Sequence, residues 1–298
     1  MKMTILSMPI LKSLTINKIS KILIFGVGYL GQPLFFSLSE NYGSVIGICR
    51  NKGKHKDFDS VDQNEAGYAD IIEQHRAEII IICWAPNERS DTAYRETYLS
   101  SMELLCRALA KFPPKQVIYT SSTGVYSSAP NRIADENDPY LSDSTKHKVL
   151  LEAEKMLGST AKELNFKACV LRLSGLYGPE RIPCIRSLKK GTLLPGSANS
   201  WIHLIHRDDV ISCILACVES KASGLFNVSD AQAYTRDFLY HYFAEKFSYE
   251  LPKWKLPSST VTSGKKLLTS RIKSSTGWEP SYPHISDWLK TVDPKQFD

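Results

Sequence analysis

The 298-residue sequence lacks a long apolar segment, a paired-cysteine motif and a strong excess of either charge. Its longest strongly apolar stretch, residues 79–85, has only the length of a strand, so we expect no membrane partner. The seven cysteines are scattered and none has C-x-x-C spacing, which is typical of reduced thiols and predicts a cytoplasmic protein. The net charge of +6 suits a phosphorylated small molecule as well as a nucleic acid.

Apolar runs of strand length alternate with helical patterns in the first part of the chain. This alternation predicts an α/β fold with a doubly wound parallel sheet that is covered by helices on both faces. After Gly178 the rhythm breaks up, which indicates a smaller α+β lobe. The strands are predicted at residues 21–25, 44–49, 79–84, 116–120 and 167–173, and the helices at 32–40, 69–75, 95–111 and 145–157.

These patterns divide the chain into three parts. Residues 1–20 are an N-terminal extension, which has no small-residue cleavage site and is therefore not interpreted as a signal peptide. Residues 21–178 form the predicted sheet domain, and residues 179–298 are mainly the predicted substrate lobe. Residues 206–230, with a helix at 208–219 and a strand at 224–228, are expected to return to the main sheet.

A glycine motif, G-x-G-x-x-G, directly follows the first predicted strand and opens the first predicted helix. Gly26 permits the tight turn, Gly28 lets the backbone approach a pyrophosphate, and Gly31 lets the helix pack closely on the strand. Tyr29 and Leu30 lie inside the motif and are counted with the cofactor contacts. The helix N-terminus offers free N–H groups to phosphates. The motif therefore predicts a Rossmann-type site for a dinucleotide.

The end of the second strand bears on the choice of dinucleotide. A site that prefers NAD usually places an acid there to hold the ribose 2′-hydroxyl. This chain has Arg50 and Lys52 and no acid, and a guanidinium can pair with a 2′-phosphate. We therefore expect NADP in preference to NAD, with Arg50 as its reader. The alternative is that both cations belong to a solvated loop.

Several ordered blocks of sequence resemble one enzyme family. Residues 116–126 read Q-V-I-Y-T-S-S-T-G-V-Y, which resembles the strand–S-S-x-x-V-Y motif of the extended short-chain dehydrogenases/reductases, the nucleotide-sugar epimerase and dehydratase group. Blocks similar to that family's later motifs follow in order at 172–179, 206–210, 224–228 and 277–280. The resemblance covers nearly the whole chain from Lys21. It also implies that Ala85 and Pro86 lie on the adenosine side of the cofactor and that Ser121 is a cofactor contact.

The resemblance implies hydride exchange between a sugar carbon and nicotinamide. In the family a tyrosine moves the hydroxyl proton, a lysine four residues later lowers the pKa of that tyrosine, and a Ser or Thr binds the reacting oxygen. The helix predicted at 145–157 contains no Y-x-x-x-K. If Glu154 matches the glutamate that follows the family motif, Lys146 stands at the tyrosine position and Leu150 at the lysine position. The chain is then similar to an atypical subgroup without the usual pair.

Four residues are candidates for the catalytic chemistry. Ser122, with Thr123 beside it, stands where the family's catalytic hydroxyl usually falls, at the carboxyl edge of the sheet. Tyr140 is predicted in a loop just before a helix capped by Ser142 or Asp143, and its alternative is a half-buried loop aromatic. Lys146 is predicted to reach the cofactor ribose or the substrate, and its alternative is a solvated helix charge.

Two classes of function remain open from the sequence. The first is an NAD(P)-dependent oxidoreductase or epimerase that acts on an alcohol group of a sugar or nucleotide sugar. The second is a non-catalytic NAD(P)-binding redox sensor or scaffold that lost the catalytic pair. Basic residues at 253–273 lack a recognisable nucleic-acid module, so we predict a small-molecule substrate and no nucleic-acid partner. Family resemblance alone implies a homodimer through the helices at 95–111 and 145–157.

Overall fold

The central feature of the computed structural model is a seven-stranded sheet in which every neighbouring pair is parallel. The structure describes residues 20–50, 58–129, 132–139, 141–230, 232–255 and 264–292. The strands are β1 Lys21–Phe25, β2 Ser44–Cys49, β3 Asp59–Ser60, β4 Ile79–Ile82, β5 Gln116–Ser122, β6 Arg132–Ala134, β7 Lys167–Leu173, β8 Gly175–Tyr177, β9 Trp201–Ile202, β10 Leu204–His206, β11 Gly224–Val228, β12 Tyr234–Thr235 and β13 Lys265–Leu267.

The helices cover both faces of this sheet and build the lobe beside it. A π-helical segment, Arg95–Ser100, joins α3 to α4, and a short 3₁₀ turn, Thr123–Val125, follows β5. No helix within the described ranges is long and apolar enough to cross a membrane. The α-helices are α1 Gly31–Asn41, α2 Glu65–His75, α3 Asp91–Tyr94, α4 Ser101–Leu109, α5 Thr145–Leu164, α6 Ile185–Lys189, α7 Arg207–Glu219, α8 Arg236–Lys246, α9 Ser270–Thr276 and α10 Ile285–Leu289.

The strand order confirms the doubly wound sheet expected from the sequence. The order β11-β7-β5-β4-β1-β2-β3 places the switch in winding direction between β1 and β4. In open α/β sheets of this kind, ligands bind in the crevice outside the carboxyl ends of the strands at such a switch point. The carboxyl ends of β1, β2, β4 and β5 are therefore where a site is expected.

Alternation along the buried strands explains the two-faced core. Ile22 and Ile24 pack with α1 and α7, whereas Leu23 and Phe25 pack on the opposite face with α2 and α4. Because both faces are covered, the strands read as continuous apolar runs, and the bounds predicted for β1, β2, β7 and β11 match the structure.

Several predicted boundaries differ from the structure: α2 begins at Glu65 and not at residue 69, β5 extends to Ser122, and α5 extends to Leu164. The strand predicted at 79–84 ends at Ile82, whose carbonyl accepts a hydrogen bond from the Thr120 hydroxyl at 3.0 Å. The helix that begins at Thr145 is not capped by Ser142 or Asp143, because Ser144 is its N-cap residue. The Ser142 hydroxyl instead lies 2.7 Å from Nδ1 of His147.

The chain returns to the main sheet after passing through the lobe. β11 pairs with β7 from Gly224 opposite Cys169 to Val228 opposite Leu173. The buried side chain of Gln116, the first residue of β5, donates to the carbonyls of Cys217 (3.0 Å) and Ala222 (2.9 Å). These bonds tie the end of α7 and the turn before β11 to the middle of the sheet.

The lobe has its own apolar cluster, which contains Tyr177, Leu188, Phe243 and Trp288, and a buried carboxyl group lies beside it. The side chain of Asp230 accepts hydrogen bonds from the Tyr234 hydroxyl and from a backbone N–H, and only 2% of the residue is exposed. Burial raises its pKa to about 8. A carboxyl group in this setting favours its neutral form.

Stability is expected to fall with rising pH because of Asp230. Its folded-state pKa lies above the ordinary value of 3.8, so the free energy of unfolding declines as pH rises from that value to about 8. Asp230→Asn should flatten this decline, leaving the part due to Asp209, whose pKa burial raises to about 6. Melting temperatures from pH 4 to pH 9 measure the effect, with exposed Asp70→Asn as the control. Equal slopes for wild type and Asp230→Asn would contradict the prediction.

Candidate cofactor and active site

A cleft of about 530 Å³ opens at the switch point, along the carboxyl ends of β1, β2, β4, β5 and β7. It brings together residues that lie far apart in the sequence, and most of the predicted site residues line it. Those that line it are Gly26, Gly28, Tyr29, Leu30, Arg50, Ala85, Pro86, Ser121, Ser122 and Thr123. Gly31 lies directly behind this wall, as the first residue of α1.

The three motif glycines have different surroundings. Gly26 has φ +94°, and a Cβ there would meet the Cys83 carbonyl oxygen at 2.6 Å. A Cβ on Gly31 would lie 2.0 Å from the Gly26 carbonyl oxygen, so the helix could not keep its close approach to the turn. At Gly28 a Cβ would meet no heavy atom of the described chain within 4 Å. Gly26 and Gly31 are therefore needed for packing, and Gly28 faces open space where a ligand can approach.

Tyr29, the residue after Gly28, also lines the cleft. Its buried hydroxyl has no hydrogen-bond partner within the part of the chain that the structure describes. Burial raises the pKa of Tyr29, while the guanidinium groups of Arg207 and Arg181, 5.3 and 5.6 Å from its ring centre, act in the opposite direction. The phenol is thus a neutral hydrogen-bonding group between two cations, beside the N-terminus of α1.

Arg50 lies at the end of β2 and reaches across to the end of β4. Its guanidinium donates to the Ala85 carbonyl at 3.1 Å, to Asn87 Oδ1 at 3.0 Å and to Thr97 Oγ1 at 3.3 Å. These contacts hold the guanidinium in the wall of the cleft. Lys52, the second cation noted in this loop, lies outside the described residues.

Ser121 belongs to a buried ionic network at the base of the cleft. Its hydroxyl donates to Glu154 Oε1 at 2.5 Å, and Arg172 donates to both oxygens of the same carboxylate, with Nη2 at 2.6 Å from Oε2. Arg172 is 5% exposed and Glu154 is 9% exposed. The guanidinium also lies 4.8 Å from the ring centre of Tyr126. The network joins β5, α5 and β7 beneath the site.

The two hydroxyl candidates, Ser122 and Thr123, differ in their bonds. Thr123 Oγ1 donates to the Leu173 carbonyl at 3.3 Å and is buried. Ser122 Oγ accepts the backbone N–H of Gly124 at 3.0 Å, which leaves its own proton available for another group. Ser122 is therefore the hydroxyl of the cleft wall that is better placed to serve a ligand.

Of the other two predicted catalytic residues, only Lys146 is described by the structure, and it is not brought into the cleft. Lys146 pairs with Asp91 at 3.8 Å, and its ammonium lies 5.8 Å from the ring centre of Tyr94. It is absent from the described lining of the cleft. Tyr140 lies outside the described residues. Leu150, which stands at the lysine position if Glu154 matches the family glutamate, is 2% exposed and packs with Val125 in a small apolar cluster.

The structure adds cleft residues that sequence reasoning missed. Tyr98 lines the cleft from the π-helical segment, and Arg181 lines it from the loop after β8. Because Arg181 comes shortly after the Y-G-P motif, its place beside the cleft could have been predicted from the sequence. Nothing in the sequence indicated that Tyr98 lies in a π-helical segment, because a π-bulge inserts one residue into an otherwise ordinary helical pattern. No cluster of His, Cys, Asp and Glu among the described residues could hold a metal ion.

A parallel sheet with a glycine-rich turn at its switch point defines a dinucleotide-binding α/β protein. The model of the NAD dependent epimerase/dehydratase family matches residues 22–229. The chain belongs to this family, as the ordered sequence motifs predicted.

Known proteins resemble this chain along most of its length. Protein YeeZ of Escherichia coli (strain K12) is 28% identical over 276 residues, which cover 88% of this chain and 96% of the relative. A solved structure from Methylobacillus flagellatus, named as an NAD-dependent epimerase/dehydratase, is 27% identical with a TM-score of 0.74, covering 92% and 97%. The UDP-glucuronic acid 4-epimerase from Bacillus cereus, in complex with UDP-glucuronic acid and NAD, is 17% identical with a TM-score of 0.73, covering 91% and 96%. This last likeness shows the fold alone.

Proposed function

We propose that the protein is a nicotinamide-dependent oxidoreductase or epimerase that acts on an alcohol group of a sugar or nucleotide sugar. The observation that carries the proposal is that Gly28 and Ser122 line the same cleft. Gly28 faces open space, and the Ser122 hydroxyl has a proton to donate. Residues 21–178 are assigned to cofactor binding, with 206–230 returning to them, and the rest of 179–298 mainly to the substrate.

The cleft fits a nicotinamide dinucleotide. Gly28, Tyr29 and Leu30 would hold the pyrophosphate at the N-terminus of α1, where N–H groups and the helix dipole favour an anion. The Tyr29 hydroxyl would supply one more hydrogen bond. Ala85 and Pro86 would lie along the adenosine. The bound nicotinamide would accept or return a hydride at the substrate carbon.

NADP is the preferred dinucleotide in this proposal because Arg50 stands where the 2′-position of the adenosine ribose would bind. Wild-type protein should bind NADPH about tenfold more tightly than NADH, which corresponds to roughly 1.4 kcal/mol from charge-assisted hydrogen bonds. Arg50→Ala should remove this preference and leave the NADH affinity little changed. Calorimetric titration measures both affinities, and Arg107→Ala, a surface arginine paired with Glu65, is the matched control. Equal wild-type affinities would contradict the assignment of NADP.

A non-catalytic redox sensor or scaffold is the second candidate function. It is favoured by Leu150, which is buried among apolar side chains where the family has its lysine, and by Lys146, which pairs with Asp91. Thermal-shift screening with UDP-glucose and UDP-glucuronic acid separates the two functions. A rise in melting temperature with either sugar nucleotide supports the enzyme. NADPH binding with no response to either sugar nucleotide supports the sensor.

A further inference from the structure

The imidazole of His147 is fixed behind the loop that carries Ser122. Its Nδ1 lies 2.7 Å from Ser142 Oγ. The backbone N–H of Ser142 donates to the Val125 carbonyl at 2.7 Å, and Leu141 forms an antiparallel bridge with Tyr126. Ser142 is therefore anchored to the turn that follows β5, and through its hydroxyl it sets the orientation of the half-buried ring.

The second ring nitrogen of His147 lies beside Gly124, two residues after Ser122. A Cβ on Gly124 would lie 2.8 Å from His147 Nε2 and 3.2 Å from Ser122 Oγ. The two atoms thus border one small space, over a residue without a side chain. The φ of Gly124 is outside the left-handed range, so its backbone does not require glycine. The imidazole and the Ser122 hydroxyl both lie close to the place that a side chain would occupy, which accounts for the glycine.

The charges around His147 favour a neutral ring. Burial, Lys265 and Lys146 all lower its pKa. Lys265 approaches from β13, donates to the Tyr126 carbonyl at 3.3 Å and faces Asp138. The remaining charges nearby are paired. Lys146 of α5 pairs with Asp91 of α3 and lies over the ring of Tyr94. Lys148 of α5 pairs with Asp143 of the preceding loop. A neutral imidazole can accept a proton near neutral pH.

We propose, on the basis of the nicotinamide-dependent function above, that His147 accepts a proton from Ser122 during oxidation of the substrate alcohol and that Ser142 orients it. The substrate O–H bond breaks and its proton goes to Ser122 Oγ, while the Ser122 proton goes to His147 Nε2 through one bridging water molecule. A bound nicotinamide would take up the electron pair of the substrate C–H bond as hydride. In the reverse direction His147 returns the proton. Ser122 is then the contact residue and His147 a positioning residue that acts through it.

The arrangement requires one tautomer of His147. Ser142 Oγ already accepts the backbone N–H of Ser144 at 3.3 Å, so it is suited to accept Nδ1–H as well. Nε2 is then unprotonated and faces Ser122. This pairing follows the logic of a nucleophile, an imidazole and a third group that orients the imidazole.

Imidazole ¹⁵N NMR of the full chain without cofactor tests this tautomer. We expect His147 to carry its proton on Nδ1, with a pKa below 6.5. Ser122→Ala and Gly124→Ala should shift the Nε2 resonance, because they remove its facing hydroxyl or wedge a methyl group beside it. Ser122→Thr, which keeps a hydroxyl, should restore the wild-type signal, and Ser223→Ala, remote from the site, should leave it unchanged. A proton on Nε2, or a signal insensitive to Ser122→Ala, would overturn the inference.

Turnover provides a second measurement with the full chain, NADP and UDP-glucose as probes. His147→Gln should form reduced nicotinamide about 100-fold more slowly than wild type, as expected for loss of a proton-transfer group, with unchanged KM. Lys155→Gln, at an exposed position further along the same helix, should turn over at the wild-type rate. Equal measurable rates for the two variants would overturn the role of His147 and leave the proposed function intact. Failure of wild-type protein to bind NADPH by calorimetry would instead overturn the proposed function, while the NMR result still decides the tautomer.

Discussion

Replacing Gly31 by alanine is expected to destabilise the protein by about 3 kcal/mol or more and to abolish dinucleotide binding. The new methyl carbon would lie 2.0 Å from the Gly26 carbonyl oxygen, which is a backbone atom and cannot rotate away. The start of α1 would have to move off the glycine turn, and overpacking of a close contact typically costs about 1–3 kcal/mol, with larger costs where backbone must shift. Urea unfolding and calorimetric titration with NADPH measure the two effects.

Gly28→Ala is the matched control for this prediction. No heavy atom of the described chain lies within 4 Å of the place that its methyl group would occupy, and its φ is outside the left-handed range. We expect a change in stability within about 0.5 kcal/mol, as for substitutions that disturb no contact. The methyl group should nevertheless weaken NADPH binding, because it fills space needed for the pyrophosphate. Similar unfolding curves for the two variants would contradict this division of roles.

Breaking the ion pair beneath the cleft is the second change with a large expected effect. Glu154→Leu would leave the buried Arg172 guanidinium without its carboxylate and would also remove the acceptor of the Ser121 hydroxyl. Removal of one partner of a buried pair typically costs about 3–5 kcal/mol, because the remaining charge stays desolvated. Urea unfolding at neutral pH measures the loss.

The double variant Glu154→Leu/Arg172→Met controls for the cause of that loss. Apolar side chains of similar volume in place of both charges are often neutral or stabilising. We expect the double variant to recover most of the stability lost in Glu154→Leu, even though it contains one more substitution. A double variant less stable than Glu154→Leu would show that the ion pair itself, and not the uncompensated charge, provides the stability.

Local patterns predicted the fold well because its determinants are local. Continuous apolar runs marked the strands buried on both faces, and the spacing of Gly26, Gly28 and Gly31 marked the turn between β1 and α1. The cleft then follows from topology, since parallel strands end at one edge of the sheet. Arg50, Ser121 and Ser122 could be placed at that edge for the same reason.

Contacts between distant residues could not be predicted in this way. Arg50 meets Asn87 and Thr97 only because β2 and β4 flank β1 in the sheet. Lys146 was predicted to reach the cofactor ribose or the substrate, but its partner Asp91 comes from another helix. His147 was missed because its significance depends on a turn after β5 and on a serine in the preceding loop, neither of which lies at helical spacing from it.

The late return of β11 has a consequence for synthesis of the protein. β7 leaves the ribosome well before residues 224–228, so its outer edge stays unpaired while the lobe segment is translated. The carbonyls that Gln116 binds, at Cys217 and Ala222, also appear only then. A nascent chain stalled in the lobe therefore exposes a parallel strand edge that can pair with other chains. The sheet cannot be completed until residues 224–228 have been synthesised. The emerging chain therefore most needs a chaperone while the segment between β7 and β11 is being translated.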